Sequence, residues 1–204
     1  EADPRLRKLQ DLAEGRLGDP VPYPPAIERR ELLVGADKQV DHLRGMLAEH
    51  GEVSVVGLGG VGKTTLAKVF ANEHVLSYGG GVLWVDAESN DRLLDSYMDI
   101  WTRQLGRPAP KEAVQCVGQL RHWIRRQSQP TLIVYDNNDG HHGKLDEGNL
   151  IRRRGLGNCH ILFTSRTRSE SAKCFDVVPL EAADAAKVLL RTRRAEPAAD
   201  PATL

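Results

Sequence analysis

Glycine, lysine and threonine meet once in this sequence at the spacing that handles phosphate: Gly57-Leu58-Gly59-Gly60-Val61-Gly62-Lys63-Thr64-Thr65. Glycines let successive backbone amides turn inward around phosphate oxygens, and a helix starting there adds its partial positive charge. In the pattern G-x-x-x-x-G-K-S/T, the lysine (Lys63) reaches the β- and γ-phosphates and the hydroxyl (Thr64) holds Mg2+. Gly57, Gly59, Gly60, Val61, Gly62, Lys63, Thr64 and Thr65 are therefore the candidate phosphate ligands. Far downstream, Thr131-Leu132-Ile133-Val134-Tyr135 ends in Asp136, a hard oxygen ligand of the kind Mg2+ takes, usually through a bound water. Thr64 and Asp136 form the candidate metal pair.

Two further positions bear on chemistry. The residue after Asp136 is Asn137, followed by Asn138 and Asp139, where many hydrolases of this architecture carry a second acid to polarise water. An amide orients water but cannot take its proton, so hydrolysis is expected to be slow unless Asp139 or another group substitutes. The alternative is that Asn137 and Asn138 are only turn residues. Arg166 closes His160-Ile161-Leu162-Phe163-Thr164-Ser165. It reads either as a surface arginine or, if its strand lies between the Gly57 and Asp136 strands, as a contact for a third phosphate. Lys63, Asp136 and Arg166 are the candidate catalytic residues.

The elements that must position these groups follow a strand, helix, strand, helix order, which predicts a parallel sheet covered on both faces. Asp37 opens a helix with Val40, Leu43 and Leu47 on one face; Val53-Ser54-Val55-Val56 is the strand before the loop, and Leu66 to Phe70 continues the helix after it. Val82-Leu83-Trp84-Val85 is the second strand. A helix is expected over 91–105 with Leu94, Tyr97, Met98 and Trp101 inward, and another over 111–126 with Val114, Val117, Leu120 and Trp123 or Ile124 inward. The last strand is expected at Phe175-Asp176-Val177-Val178, before a helix carrying Ala183, Ala186, Val188, Leu189 and Leu190. Upstream, Leu6, Leu9 and Leu12 have helical spacing, and Pro20, Pro22, Pro24 and Pro25 favour an extended linker across a domain surface.

Composition narrows the field. Lys plus Arg and Asp plus Glu number 28 each, so no global charge draws the chain to nucleic acid or membrane. The run Arg152-Arg153-Arg154 reads as a solvated helix end. Cys116, Cys159 and Cys174 lie far apart, without metal-ligand spacing, and fit a reducing compartment. His141-His142 has no ligand partner at usable spacing. No apolar run approaches the ~20 residues needed to span a bilayer, so a cytoplasmic location is expected. The chain starts without Met and stops without a closing motif, and is expected to be a segment of a longer protein. The expected layout is a helix end and Pro-rich linker over 1–30, a nucleotide-binding domain over 31–195 and a trailing end over 196–204.

Taken in order, Val34-Gly35-Ala36-Asp37, Gly57 to Thr64, Val82-Leu83-Trp84-Val85-Asp86-Ala87, Leu132 to Asn137, and Ile161-Leu162-Phe163-Thr164-Ser165-Arg166 resemble the NB-ARC nucleotide-binding domain. That domain belongs to the STAND class of signalling ATPases, which includes plant disease-resistance proteins, apoptosome scaffolds and NOD-like receptors of innate immunity. The resemblance covers about Leu32 to Arg194. Tryptophan in the second strand and Asp-Asn after the third resemble fungal or bacterial members. The resemblance implies an α/β P-loop NTPase fold, three layers around a five-stranded parallel sheet of order 2-3-4-1-5. It implies bound ATP or ADP with Mg2+, Val34 and Gly35 lining the adenine, Asp136 serving the metal, and Arg166 sensing the γ-phosphate. It also implies effector and sensor domains in cis and other copies of the protein as partners on activation. Ala36-Asp37 replaces the family's usual Arg-Glu, so one arginine near the nucleotide is lost. The family's downstream helical and winged-helix subdomains are not in these residues, so the chain is expected to bind nucleotide without performing the full switch.

A resting state with ADP and an oligomerising state with ATP is the leading expectation, with at most slow ATPase activity. The competing reading is a turnover ATPase of the AAA-like or ABC-like motor type. Residues 111–130 lack the Leu-Ser-Gly-Gly-Gln helix of an ABC subunit, and the nearest match to a GTPase Asn-Lys-x-Asp, Gly143-Lys144-Leu145-Asp146, falls in a loop. A small-molecule phosphotransferase would usually supply a lid, and no such insertion is apparent.

Overall fold

The computed structural model of the chain describes residues 20–26, 37–139 and 147–177. The expected helix over 5–14, Val34 and Gly35, His141 and His142, and the helix after Pro179 lie outside the described residues. In chain order the regular elements are α1 (Asp37–His50), β1 (Glu52–Val56), α2 (Lys63–Glu73), β2 (Val82–Asp86), α3 (Asn90–Asp99), α4 (Gln115–Arg125), β3 (Thr131–Asp136), β4 (Cys159–Ser165) and β5 (Lys173–Asp176). The strands pair in the order β2-β3-β4-β1-β5, and every pairing is parallel. This is the expected sheet, with β4 between β1 and β3.

Alternation within each strand serves two cores at once. In β3, Leu132 and Val134 face a cluster with Val40, Leu43, Leu47, Leu66, Val69 and Phe70 of α1 and α2. Ile133 and Tyr135 face the other, with Leu93, Tyr97, Cys116, Leu120 and Ile124 of α3 and α4. A strand buried on both faces must be apolar at nearly every position, which is why β3 reads as a continuous run. Each such fully buried Leu or Val contributes about 1.5–3 kcal/mol.

Three elements depart from expectation. In α3 the inward stripe is Leu93 and Tyr97, continued by Ile100, while Leu94, Met98 and Trp101 are only partly buried. From Ile100 to Gln104 the helix widens into a π-turn, closed by Leu105 N donating to Ile100 O at 2.9 Å. α4 starts at Gln115 because residues 112–117 form tighter turns, with Gln115 N on Glu112 O and Cys116 N on Ala113 O, both at 3.0 Å; Val114 is left exposed. β5 starts earlier than expected, at Lys173, and pairs with β1.

The proline segment does cross a surface. Pro22 O accepts Val82 N at 2.8 Å, and Pro25 O accepts Asn72 Nδ2 at 3.0 Å, so 20–26 runs along the start of β2 and onto α2. Gly81 makes room for it: φ is +100°, and a Cβ there would meet Pro22 Cδ at 2.8 Å. Cys116 and Cys159 are free core residues, and burial pushes the Cys159 thiol up to about 12, so it stays protonated at neutral pH. Among the described residues no helix is long and apolar enough to cross a membrane.

Candidate functional site

The C-terminal ends of the strands bring the candidate residues together. Register sets Val56 of β1 beside Ser165 of β4, and Tyr135 of β3 beside Phe163 of β4. The loop after β1, the carboxylate ending β3 and the turn after β4 therefore share one rim, the crevice where open α/β sheets take ligands.

The loop itself is built by its glycines. Gly60 and Gly62 have φ of +76° and +100°, values L side chains rarely adopt, and nothing lies within 4 Å of a Cβ on either. At the neck, a Cβ on Gly57 would meet Val61 Cγ1 at 3.0 Å. Gly62 leads into α2 with no side-chain cap, leaving the first-turn donors unsatisfied. Among the described residues the amides of Gly59, Gly60, Gly62, Lys63, Thr64 and Thr65 have no hydrogen-bond partner. Six free amides at a positive helix end fit an anionic phosphate group. Lys63 Nζ donates to Gly57 O and Leu58 O, both at 2.9 Å, so the ammonium is held against the same loop. Leu58, at the tip, is 82% exposed.

Opposite the loop, Asp136 is buried and doubly engaged through one oxygen. Thr64 Oγ1 donates to Asp136 Oδ1 at 2.8 Å, and Thr164 Oγ1 donates to the same atom at 2.5 Å. Asp136 Oδ2 has no partner among the described residues. Thr64 and Asp136 lie in hydrogen-bond contact across 72 positions of sequence, and together with phosphate oxygens and water they are the donors an octahedral Mg2+ uses. No cluster of three His, Cys, Asp or Glu able to hold a metal occurs among the described residues.

Arg166 follows β4 and lies beside the loop: a Cβ on Gly59 would be 3.9 Å from its Nε. Asn137 is exposed with φ of 63°, and its amide donates to Thr164 Oγ1 at 3.0 Å, the behaviour of a turn residue. Three carboxylates at this rim are all occupied. Asp136 takes two hydroxyls, Asp139 takes Arg166, and Asp86 at the end of β2 pairs with Arg92 at 2.9 Å. Sequence reasoning missed Thr164, which carried no motif signal beyond its place next to Ser165-Arg166. A separate cavity of about 760 Å3, lined by His50, Glu52, Arg153 and Lys173, opens at the opposite end of the sheet. None of the candidate site residues lines it, and Glu52 there is engaged by Arg153 N at 2.9 Å.

Comparison with known proteins bears on the same rim. A family model described as NB-ARC domain matches residues 36–192. The disease-resistance protein At1g59780 of Arabidopsis thaliana is 38% identical over 119 residues, 54% of this chain and 13% of that protein. The disease-resistance RPP13-like protein 1 of the same plant is 24% identical over 188 residues, 84% of this chain and 18% of that protein. The chain thus spans less than a fifth of the length of these curated relatives. Both are plant proteins, and neither supports a fungal or bacterial origin. The crystal structure of Cdc6p from Pyrobaculum aerophilum superposes with a TM-score of 0.56 at 12% identity, covering 84% of this chain and 52% of Cdc6p, which establishes the shared fold alone.

Proposed function

The chain belongs to the NB-ARC domain family, and on that basis we propose that it is the ATP- and ADP-binding module of a STAND-type signalling switch. The observation that carries this reading is the loop: six unpartnered amides on an uncapped helix end, with Lys63 on one side and the Thr64–Asp136 pair on the other. Gly57, Gly59, Gly60, Val61, Gly62, Lys63, Thr64 and Thr65 surround the phosphates, Thr64 and Asp136 hold Mg2+, and Arg166 meets the γ-phosphate. Val34 and Gly35, upstream of α1, line the adenine. The nucleotide-binding unit runs over 31–195, in a cytoplasmic protein that carries effector and sensor domains in cis.

Slow hydrolysis, or none, is part of the proposal. With Asn137 in a left-handed turn, Asp86 and Asp139 ion-paired with arginines, and Asp136 held by two hydroxyls through Oδ1 and assigned to Mg2+, none of these three carboxylates is left for taking a proton from water. A site that holds nucleotide without consuming it reports which nucleotide is bound, and only differential contacts convert that into a change of state. ADP then marks the resting form, and ATP, through Arg166, the form that assembles with other copies.

Calorimetric titration of the protein with ADP and ATP tests the reading. Lys63→Ala should abolish measurable binding of both, while Arg166→Ala should weaken ATP about tenfold more than ADP, the scale of one charge-assisted hydrogen bond. Unchanged binding by Lys63→Ala would remove the loop from the site.

A further inference from the structure

Asp139 sits three positions beyond Asp136, after the end of β3, yet its side chain is only 16% exposed. Oδ1 accepts the backbone N of Arg166 at 2.7 Å, and Oδ2 lies 3.2 Å from Arg166 Nε. Its carbonyl accepts Thr167 Oγ1 at 3.1 Å, and Thr167 N in turn donates to Ser165 Oγ at 3.0 Å. One aspartate therefore stitches the turn after β3 to the turn after β4, gripping a single arginine by both main chain and side chain. Among the described residues the terminal guanidinium nitrogens of Arg166 make no hydrogen bond, and Nε lies 3.9 Å from a Cβ built on Gly59.

We propose that Asp139 is a positioning residue that sets the ATP-over-ADP preference of this site by holding Arg166 beside the phosphate loop. The proposal rests on the reading of Arg166 as the γ-phosphate contact. A long, 66% exposed arginine side chain would otherwise sample many rotamers, and a phosphate capturing it would have to freeze them. Held at Nε by a carboxylate, the fork is already ordered, with its two outer nitrogens left for a planar, bidentate contact to phosphate. ADP presents no oxygen at that position and gains nothing from the ordering. The clamp thus acts on one nucleotide and not on the other. It also explains what Asp139 does in place of a general base: both its oxygens face the arginine.

The test is the ratio of ATP to ADP affinity, measured by calorimetry on the protein and on Asp139→Asn, Arg166→Ala and the double variant. The side chain introduced by D139N keeps an oxygen acceptor for the Arg166 amide, so the turn survives, while it loses the negative charge that pairs with the guanidinium at Nε. The expected result is an ATP affinity about tenfold lower in D139N with ADP held within about twofold, and a double variant no weaker for ATP than Arg166→Ala alone, the non-additivity of two residues acting through one contact. A ratio that is unchanged or raised in D139N, while Arg166→Ala lowers it, overturns the clamp and leaves the Arg166 contact standing. A ratio unmoved by Arg166→Ala overturns that contact and the clamp with it.

Discussion

Replacing Thr164 with valine removes the hydroxyl that joins β4 to the Asp136 carboxylate and changes almost nothing else. Thr164 is 1% exposed, so the isosteric methyl group leaves no cavity and gains no contact with water. Two hydrogen bonds go: the donation to Asp136 Oδ1 at 2.5 Å and the acceptance from Asn137 N at 3.0 Å. The first is made to a charged acceptor and contributes about 1.5–3 kcal/mol; the second strands an amide that water partly reaches at the exposed turn, adding ~1 kcal/mol. The expected loss is ~2–4 kcal/mol, a large part of the roughly 5–15 kcal/mol that holds a typical domain together. Urea denaturation reads it as a lower midpoint at unchanged slope. Thr164→Ser keeps both bonds and should cost only about 1 kcal/mol for the buried methyl. A valine variant within ~0.5 kcal/mol of the parent would refute the claim that Thr164 holds Asp136 in place, since that is the spread of ordinary surface substitutions.

Three other outcomes follow from the same geometry. Gly62→Ala forces an L side chain to φ of +100° and should cost about 1–2 kcal/mol in denaturant melts and weaken ADP binding, because the first-turn amides move with it. Tyr135→Phe strands Ile151 N, which donates to the Tyr135 hydroxyl at 2.9 Å in the core, and should cost about 1–3 kcal/mol in the same melts. Burial holds His160 below its usual 6.5, and its Nδ1 shares a hydrogen bond of 3.0 Å with the Tyr78 hydroxyl, which burial keeps protonated. The unfolded chain then takes up the proton first, so stability rises with pH through 6.5 and falls on acidification below it; His160→Gln should flatten that segment of the stability profile relative to the parent.

The loop, Asp136 and the strand sequence were legible because each carries its chemistry locally: glycines where φ must be positive, a carboxylate where an apolar strand stops. The sheet order was legible only through the family's motif order, since nothing in Cys159 to Ser165 alone says which strands flank it. Phase was the weak point. Leu93, Tyr97 and Ile100 and the neighbouring Leu94, Met98 and Trp101 are two apolar stripes with the same spacing. What selects the first is the buried hydrogen bond between the Tyr97 and Tyr135 hydroxyls at 2.8 Å and the contact of the Tyr97 hydroxyl with the Asn149 carbonyl at 3.2 Å, both made across the fold. The same holds for Thr164 and Asp139. Each is an ordinary polar residue in sequence, and each gains its place from the register that lays the end of β4 beside the end of β3.

Whether this domain holds a nucleotide rather than consuming it is tested most directly by heat-denaturing the purified protein, identifying the released nucleotide by chromatography, and following ATP turnover on the same preparation. The predicted result is stoichiometric ADP with steady-state turnover far below the roughly 1 s−1 at which ordinary enzymes begin. Steady turnover at or above that rate, or a preparation that neither carries nor takes up adenine nucleotide, would contradict it.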